Sequence, residues 1–200
     1  MLPAFVGRAM LRLNGMRVLD RNEGQWPAKC VVAVAPHTSN RDFPYGLYVR
    51  AAVKQYIGFV GKASLFKFPL GIFLRAWGGV PVVRTKRTNF VQAVAQIFRE
   101  KSEFRLCLAI EGTRSRVDKF KTGFYYIAKE AQVPIILCRF NFGDGNIEFS
   151  KPFYPTDDFR KDMDFIYRHF DGIKGLVPEN SFIYDPEKAF AEVKPAKKGA

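Results

Sequence analysis

The chain has 200 residues, 48% of them hydrophobic and 26% charged. That is enough for one domain with a sizeable core, too few for two, and too apolar for a disordered chain. The 32 Lys+Arg against 19 Asp+Glu give a net charge of +13, which points to an anionic partner: nucleic acid, a membrane surface or a phosphorylated substrate. The first hundred residues hold 15 of the cations and only 4 of the acids, the second hundred 17 and 15. No run of five or six basic residues reads as a nucleic-acid tail.

At the N-terminus, Leu2, Phe5, Val6, Ala9, Met10 and Leu13 recur at helical spacing, with Arg8, Arg12 and Arg17 nearby. One reading is a basic amphipathic helix lying in a membrane interface; the other is a surface helix packing that stripe onto its own domain. The segment lacks the core and cleavage site of a signal peptide. No apolar stretch anywhere reaches the ~18–20 residues that span a bilayer. The expected organisation is therefore an amphipathic segment over 1–20, a domain over 21–193 and a basic frayed tail over 194–200.

Within the domain, β-branched runs at 30–35, 57–60, 80–83, 105–110 and 134–140 read as strands, with another at 146–149 after the turn signal Gly143-Asp144-Gly145. Helical patterns cover 41–54, 88–101, 122–131 and 157–170. This alternation predicts a single α/β domain with a central, mostly parallel or mixed sheet flanked by helices. The stretch 65–77 is apolar nearly all round, with Lys67 and Arg75 interspersed. It suits a buried helix, a lipid-facing one or the wall of an acyl channel, and Pro69 and Gly71 predict a break inside it. Cys30, Cys107 and Cys138 are far apart in apolar runs, and there are only two histidines. Neither a disulfide framework nor a metal site is expected, and the cysteines read as buried thiols in a reducing compartment.

Three blocks carry polar groups at strand ends. The first strand runs into Pro36-His37-Thr38-Ser39-Asn40-Arg41-Asp42. With His37 on a loop, the chain can fold Asp42 back beneath it, so that a carboxylate fixes the imidazole tautomer; Ser39-x-x-Asp42 equally reads as a helix cap. After the 105–110 strand comes Glu111-Gly112-Thr113-Arg114-Ser115-Arg116, suited to a phosphate or hydroxylated headgroup, or else to a polar turn with Glu111 paired to an arginine. Gly79 to Arg84 delivers Arg84 at a third strand end, and Lys62 follows another. Each cation taken singly is a solvated charge; together they read as an anion site.

In this order the blocks resemble those of the lysophospholipid and glycerol-phosphate acyltransferase family, the 1-acylglycerol-3-phosphate acyltransferases in particular. His37-x4-Asp42 is similar to the family's H-x4-D, Gly79-x4-Arg84 to its G-x4-R, and Glu111-Gly112-Thr113-Arg114-Ser115 to its E-G-T-R-S. Val133-Pro134-Ile135-Ile136 is similar to its V-P-[IV]-[IV], and Lys62 with Leu65-Phe66-Lys67 and Pro69 to its K-x-x-L-F-K-x-P. Pro36, Ser64 and Ile110 depart from the family pattern, which commonly has Asn, Glu and Pro there; these departures bear on the choice of acceptor.

The resemblance implies transfer of a fatty acyl group from a thioester donor, acyl-CoA or acyl carrier protein, to a lysophospholipid hydroxyl. His37 would be the general base and Asp42 its orienting partner, with Lys62, Arg84, Glu111, Gly112, Thr113 and Arg114 holding the acceptor and its phosphate. It implies no metal and no cofactor beyond the co-substrate, and a peripheral protein on the cytoplasmic face of an anionic membrane, with the 1–20 amphipathic helix lying in the membrane interface and with no nucleic-acid partner. A non-phosphate acceptor such as an amino-acid lipid is the alternative within this chemistry. A serine hydrolase would need a G-x-S-x-G elbow that the chain lacks. A non-enzymatic basic module binding anionic membrane or nucleic acid would account for the charge but not for the ordered blocks.

Overall fold

The computed structural model describes residues 2–82 and 87–191, with backbone alone at 62 and 87–89. Arg84, Lys86 and the 194–200 tail lie outside the described residues. A single seven-stranded sheet organises the chain: β1 (Arg17–Asp20), β2 (Lys29–Ala35), β3 (Ile57–Lys62), β4 (Gly79–Val82), β5 (Phe104–Ala109), β6 (Ile135–Asn141) and β7 (Asn146–Phe149), in the order β1-β7-β6-β2-β5-β3-β4. All neighbours run parallel except β6 and β7, which form an antiparallel hairpin.

The two faces divide the core by strand periodicity. On β2, Val31, Ala33 and Ala35 point to one face, and Cys30, Val32 and Val34 to the other; on β6, Ile135 and Leu137 oppose Ile136, Cys138 and Phe140. All six of these β2 residues are under 10% exposed, which is why the strand reads as a continuous apolar run rather than an alternating one. The first face is covered by α4 (Arg87–Glu100), α5 (Gly123–Ala131) and α6 (Phe159–Phe170), through residues such as Val94, Phe98, Ile127, Met163 and Phe170. The second is covered by α2 (Asp42–Ala52), against which α1 (Ala4–Leu13) packs.

The segment expected over 1–20 is two elements. The helix ends at Leu13, and Arg17–Asp20 form an edge strand of the main sheet, so a boundary at residue 20 does not exist in the fold. Helix α1 meets α2 through Gly7 and Leu11, both buried. A Cβ on Gly7 would stand 2.5 Å from the Tyr48 carbonyl oxygen, so only glycine permits this approach. The stripe read from the sequence lies elsewhere: Leu2, Phe5, Ala9 and Leu13 are exposed, while Val6 and Met10 are half-buried.

The break expected inside 65–77 occurs. A 3-10 turn (Ala63–Phe66) ends before Pro69, and α3 (Leu70–Ala76) follows. A buried helix is ruled out, because Phe66 and Gly71 alone are buried there. A short α7 (Pro186–Ala189) completes the described chain. No helix among the described residues is long and apolar enough to cross a membrane.

Candidate active site

Parallel pairing brings the chemical blocks to one edge. Val34 on β2 registers with Ala109 on β5, so the segments that follow, Pro36–His37 and Ile110–Glu111, emerge side by side. Lys62 closes β3, and β4 ends at Val82, two residues before Arg84. The carboxyl ends of parallel strands are where α/β sheets bind ligands. The 133–136 block sits instead inside the core at the start of β6, with Ile135 and Ile136 fully buried.

His37 lies on the loop after β2, beyond a cis Ala35–Pro36 bond, and Asp42 is the first residue of α2. Asp42 folds back: its Oδ2 sits 2.9 Å from His37 Nδ1 and accepts the Thr38 and Ser39 amides at 2.9 and 3.0 Å. Of the two readings of the sequence the His–Asp pair is the one that forms: α2 has Arg41 at its N-cap position and no side-chain cap bond. The Ser39 hydroxyl caps no amide of α2; its Oγ accepts from Arg41 N–H within the loop before the helix. Asp42 is 4% exposed, whereas the His37 side chain is 28% exposed. The imidazole is thus anchored at Nδ1 and presents its remaining nitrogen, Nε2, away from that anchor.

Glu111 has no arginine partner among the described residues, which removes the ion pair weighed in the sequence, and it does not line the cleft. It lies beneath the loop, 1% exposed, and its Oε2 accepts the His37 amide at 2.5 Å. Its Oε1 is buried with no hydrogen-bond partner among the described residues. Burial pushes the carboxyl up to about 7, against the lowering effect of that amide bond. The next residue, Gly112, turns the chain with φ +70°, a conformation that disfavours a side chain. From there Thr113, Arg114 and Ser115 face open space, and Arg114 Nη1 donates to Asn40 Oδ1 at 2.5 Å, tying the two loops together. A third segment closes the loop from behind: Val177 N–H donates to Thr38 Oγ1, and Gly175 packs against Thr38.

Into this edge opens a cleft of about 660 Å³. His37, Asp42, Gly112, Thr113, Arg114 and Ser115 line it, and it continues under the sheet between β-strand residues Val32, Val34, Cys107, Cys138 and Phe149 and the α2 residues Phe43 and Leu47. Val32 lies three residues before the end of β2 at Ala35, so the apolar part reaches roughly 10 Å below the strand end. The thiols belong to this wall, and burial raises Cys107 to about 12, so it is protonated and apolar in effect.

Sequence reasoning did not find Arg50. It lines the cleft, 7% exposed, with Nη1 donating to the carbonyls of Ile57 and Trp77. Desolvation lowers its pKa, but these bonds hold it as a strut between β3 and the end of α3. Asn40 was read only as part of the histidine loop. Its partner lies 74 residues away, so nothing local signals the contact. No group of three His, Cys, Asp or Glu among the described residues could hold a metal ion.

A family model described as Acyltransferase matches residues 16–140, which contain every block described above. The chain belongs to the acyltransferase family. The match runs from β1 through most of β6 and covers more than half of the chain. The acyltransferase is also similar in structure to the 1-acyl-sn-glycerophosphate (LPA) acyltransferase PlsC from Thermotoga maritima, with a TM-score of 0.57 and 16% identity over 83% of this chain and 74% of that one. At that identity the likeness concerns the fold. A search of curated proteins finds no significant match.

Proposed function

We propose that this acyltransferase moves a fatty acyl group from a thioester donor, acyl-CoA or acyl carrier protein, to the hydroxyl of a lysophospholipid, foremost 1-acylglycerol-3-phosphate. The observation that carries this reading is the His37–Asp42 pair, at 2.9 Å, beside an apolar cleft. The similar fold of a protein described as an LPA acyltransferase supports the choice of acceptor.

In this mechanism Asp42 holds the imidazole with its proton on Nδ1, leaving Nε2 as general base. Nε2 takes the proton of the acceptor hydroxyl as its oxygen attacks the thioester carbonyl. The tetrahedral adduct then expels the thiolate, which takes the proton from His37, so that one C–O bond forms and one C–S bond breaks. No acyl-enzyme intervenes. The Thr38 and Ser39 amides are engaged by Asp42 and so play no part in stabilising the oxyanion. Arg114, with Thr113 and at the close approach that Gly112 allows, meets the acceptor phosphate; a guanidinium donates two parallel hydrogen bonds to such a group. Lys62, the last residue of β3, and Arg84, two residues after β4 in the sequence, are proposed to join it. Glu111 acts by fixing the His37 backbone rather than by touching substrate.

The test is mass spectrometry of the products formed by purified protein from an acyl thioester and a panel of lysolipids that includes non-phosphate acceptors. The expected product is diacylglycerol phosphate, with His37→Ala reducing its formation by ~10²–10⁴-fold while leaving the fold intact. Near-normal transfer by a folded His37→Ala protein refutes the mechanism, and acylation of only a non-phosphate acceptor refutes the substrate.

A further inference from the structure

Between Leu65 and Trp77 the protein displays side chains that a soluble surface ordinarily hides. Phe68 is 85% exposed, Ile72 60%, Phe73 57% and Leu65 50%, with Leu70 and Trp77 close behind. Scattered singly, exposed apolar residues need no explanation; six within thirteen positions form a patch. The segment is not loosely attached. Phe66 is buried, and α3 turns directly over it, with the Gly71 Cα so close to the Phe66 carbonyl that a Cβ would overlap it. Arg75 Nη1 donates to the Phe66 carbonyl at 3.1 Å, with its guanidinium over the Phe66 ring. One inward residue thus pins a turn whose remaining apolar side chains point out.

The patch runs into the cleft. The Phe73 ring lies 6.4 Å from Trp77, Trp77 lies 5.8 Å from Phe43, and Phe43 lies 5.7 Å from Phe59. Phe43 and Phe59 are cleft walls, and Phe43 directly follows Asp42. A continuous aromatic path therefore joins exposed surface to the site of the His–Asp pair. The segment itself carries charge of one sign: Lys67 and Arg75 lie within 65–77, both exposed, and no Asp or Glu does.

We propose that the 65–77 turn is a membrane-docking surface distinct from α1, which sinks Leu65, Phe68, Ile72 and Phe73 into the headgroup region of an anionic bilayer beside the mouth of the cleft. Protruding aromatic and aliphatic side chains interleaved with cations match that interface, where apolar burial and attraction to anionic lipids add. A second copy of the chain is a poor occupant, because a two-fold contact would press Lys67 and Arg75 toward their own copies. Docking here sets the cleft mouth against the membrane, so a lipid acceptor reaches His37 along the Phe73–Trp77–Phe43–Phe59 path without crossing water. The route to His37, though not the docking itself, rests on the lipid acceptor put forward above.

The experiment is flotation with vesicles of phosphatidylcholine alone and of phosphatidylcholine with phosphatidylglycerol, using the full chain. Phe68→Ser with Ile72→Ser should weaken partitioning to the anionic vesicles at least about tenfold and slow transfer to a vesicle-embedded acceptor. Melting temperature and turnover of a water-soluble short-chain acceptor should stay unchanged. Leu65→Ser with Ile72→Ser leaves Phe68 in place and should act in the same direction. Phe5→Ser with Leu13→Ser reports the α1 contribution separately.

Several outcomes overturn the proposal. They are wild-type partitioning by both patch variants, loss confined to the α1 variant, and a lipid-free dimer that the patch variants dissociate. Binding to a soluble acyl carrier protein that depends on the patch, with vesicle binding unaffected, also overturns it. Vesicle binding requires no turnover. If the protein binds but acylates no lysolipid, the proposed reaction fails while the docking surface stands.

Discussion

Replacing Glu111 by Gln tests the architecture of the site through pH. The carboxyl is 1% exposed and accepts the His37 amide, and burial lifts it from 4.5 to about 7. Each tenfold change in proton affinity corresponds to about 1.4 kcal/mol, so ionising Glu111 inside the fold costs about 3 kcal/mol relative to the unfolded chain. Because the folded value lies above the unfolded one, the native state holds the proton more tightly. The stability associated with protonated Glu111 is therefore fully present below about pH 4.5 and is lost as pH rises through about 7. Gln keeps an oxygen for the His37 amide and never ionises. The stability of Glu111→Gln relative to wild type, measured by urea unfolding at intervals from pH 4.5 to 9, should thus climb by about 3 kcal/mol across that range. A difference that stays constant with pH would show that Glu111 is not buried as described, and that the His37 loop is supported in some other way.

Further expectations concern packing and binding. Gly7→Ala should lower the melting temperature despite alanine's better helix propensity: its Cβ meets the Tyr48 carbonyl at 2.5 Å, and overpacking of ~1–3 kcal/mol outweighs a propensity gain of at most ~1. Thermal unfolding followed by circular dichroism checks this, and a raised melting temperature would mean that α1 does not pack closely on α2. Arg114→Ala should raise the acceptor KM about tenfold or more with a smaller change in kcat, as expected for loss of a charge-assisted contact to phosphate. Steady-state kinetics with the acceptor varied decide it, and an unchanged acceptor KM would remove Arg114 from the phosphate site.

The six strands and four main helices expected from the sequence lie within a few residues of those in the fold because each carries its own period or apolar run. The missed strand shows the complementary case. Arg17–Asp20 is four residues long, half-buried at a sheet edge, and paired with residues 146–149, so no local pattern announces it. The N-terminal stripe does not mark how α1 packs for a related reason: glycine, with no side chain, scores as nothing in a hydrophobic pattern, yet Gly7 is the point of closest approach to α2.

By itself the sequence determined which chemical groups the protein has and that they stand at strand ends, because polar blocks following apolar runs are a local property of the chain. It could equally read Asp42 as a cap or as a histidine partner, and Glu111 as a surface acceptor. Only the tertiary structure decided these. The parallel register of β2 with β5 brings His37 over Glu111 and buries that carboxylate, while the fold-back of α2 lets one Asp42 oxygen bond both the imidazole and the loop amides. Contacts across 74 residues depend on how strands pair, and strand pairing is settled by the packing of the whole sheet, which no short stretch of sequence encodes.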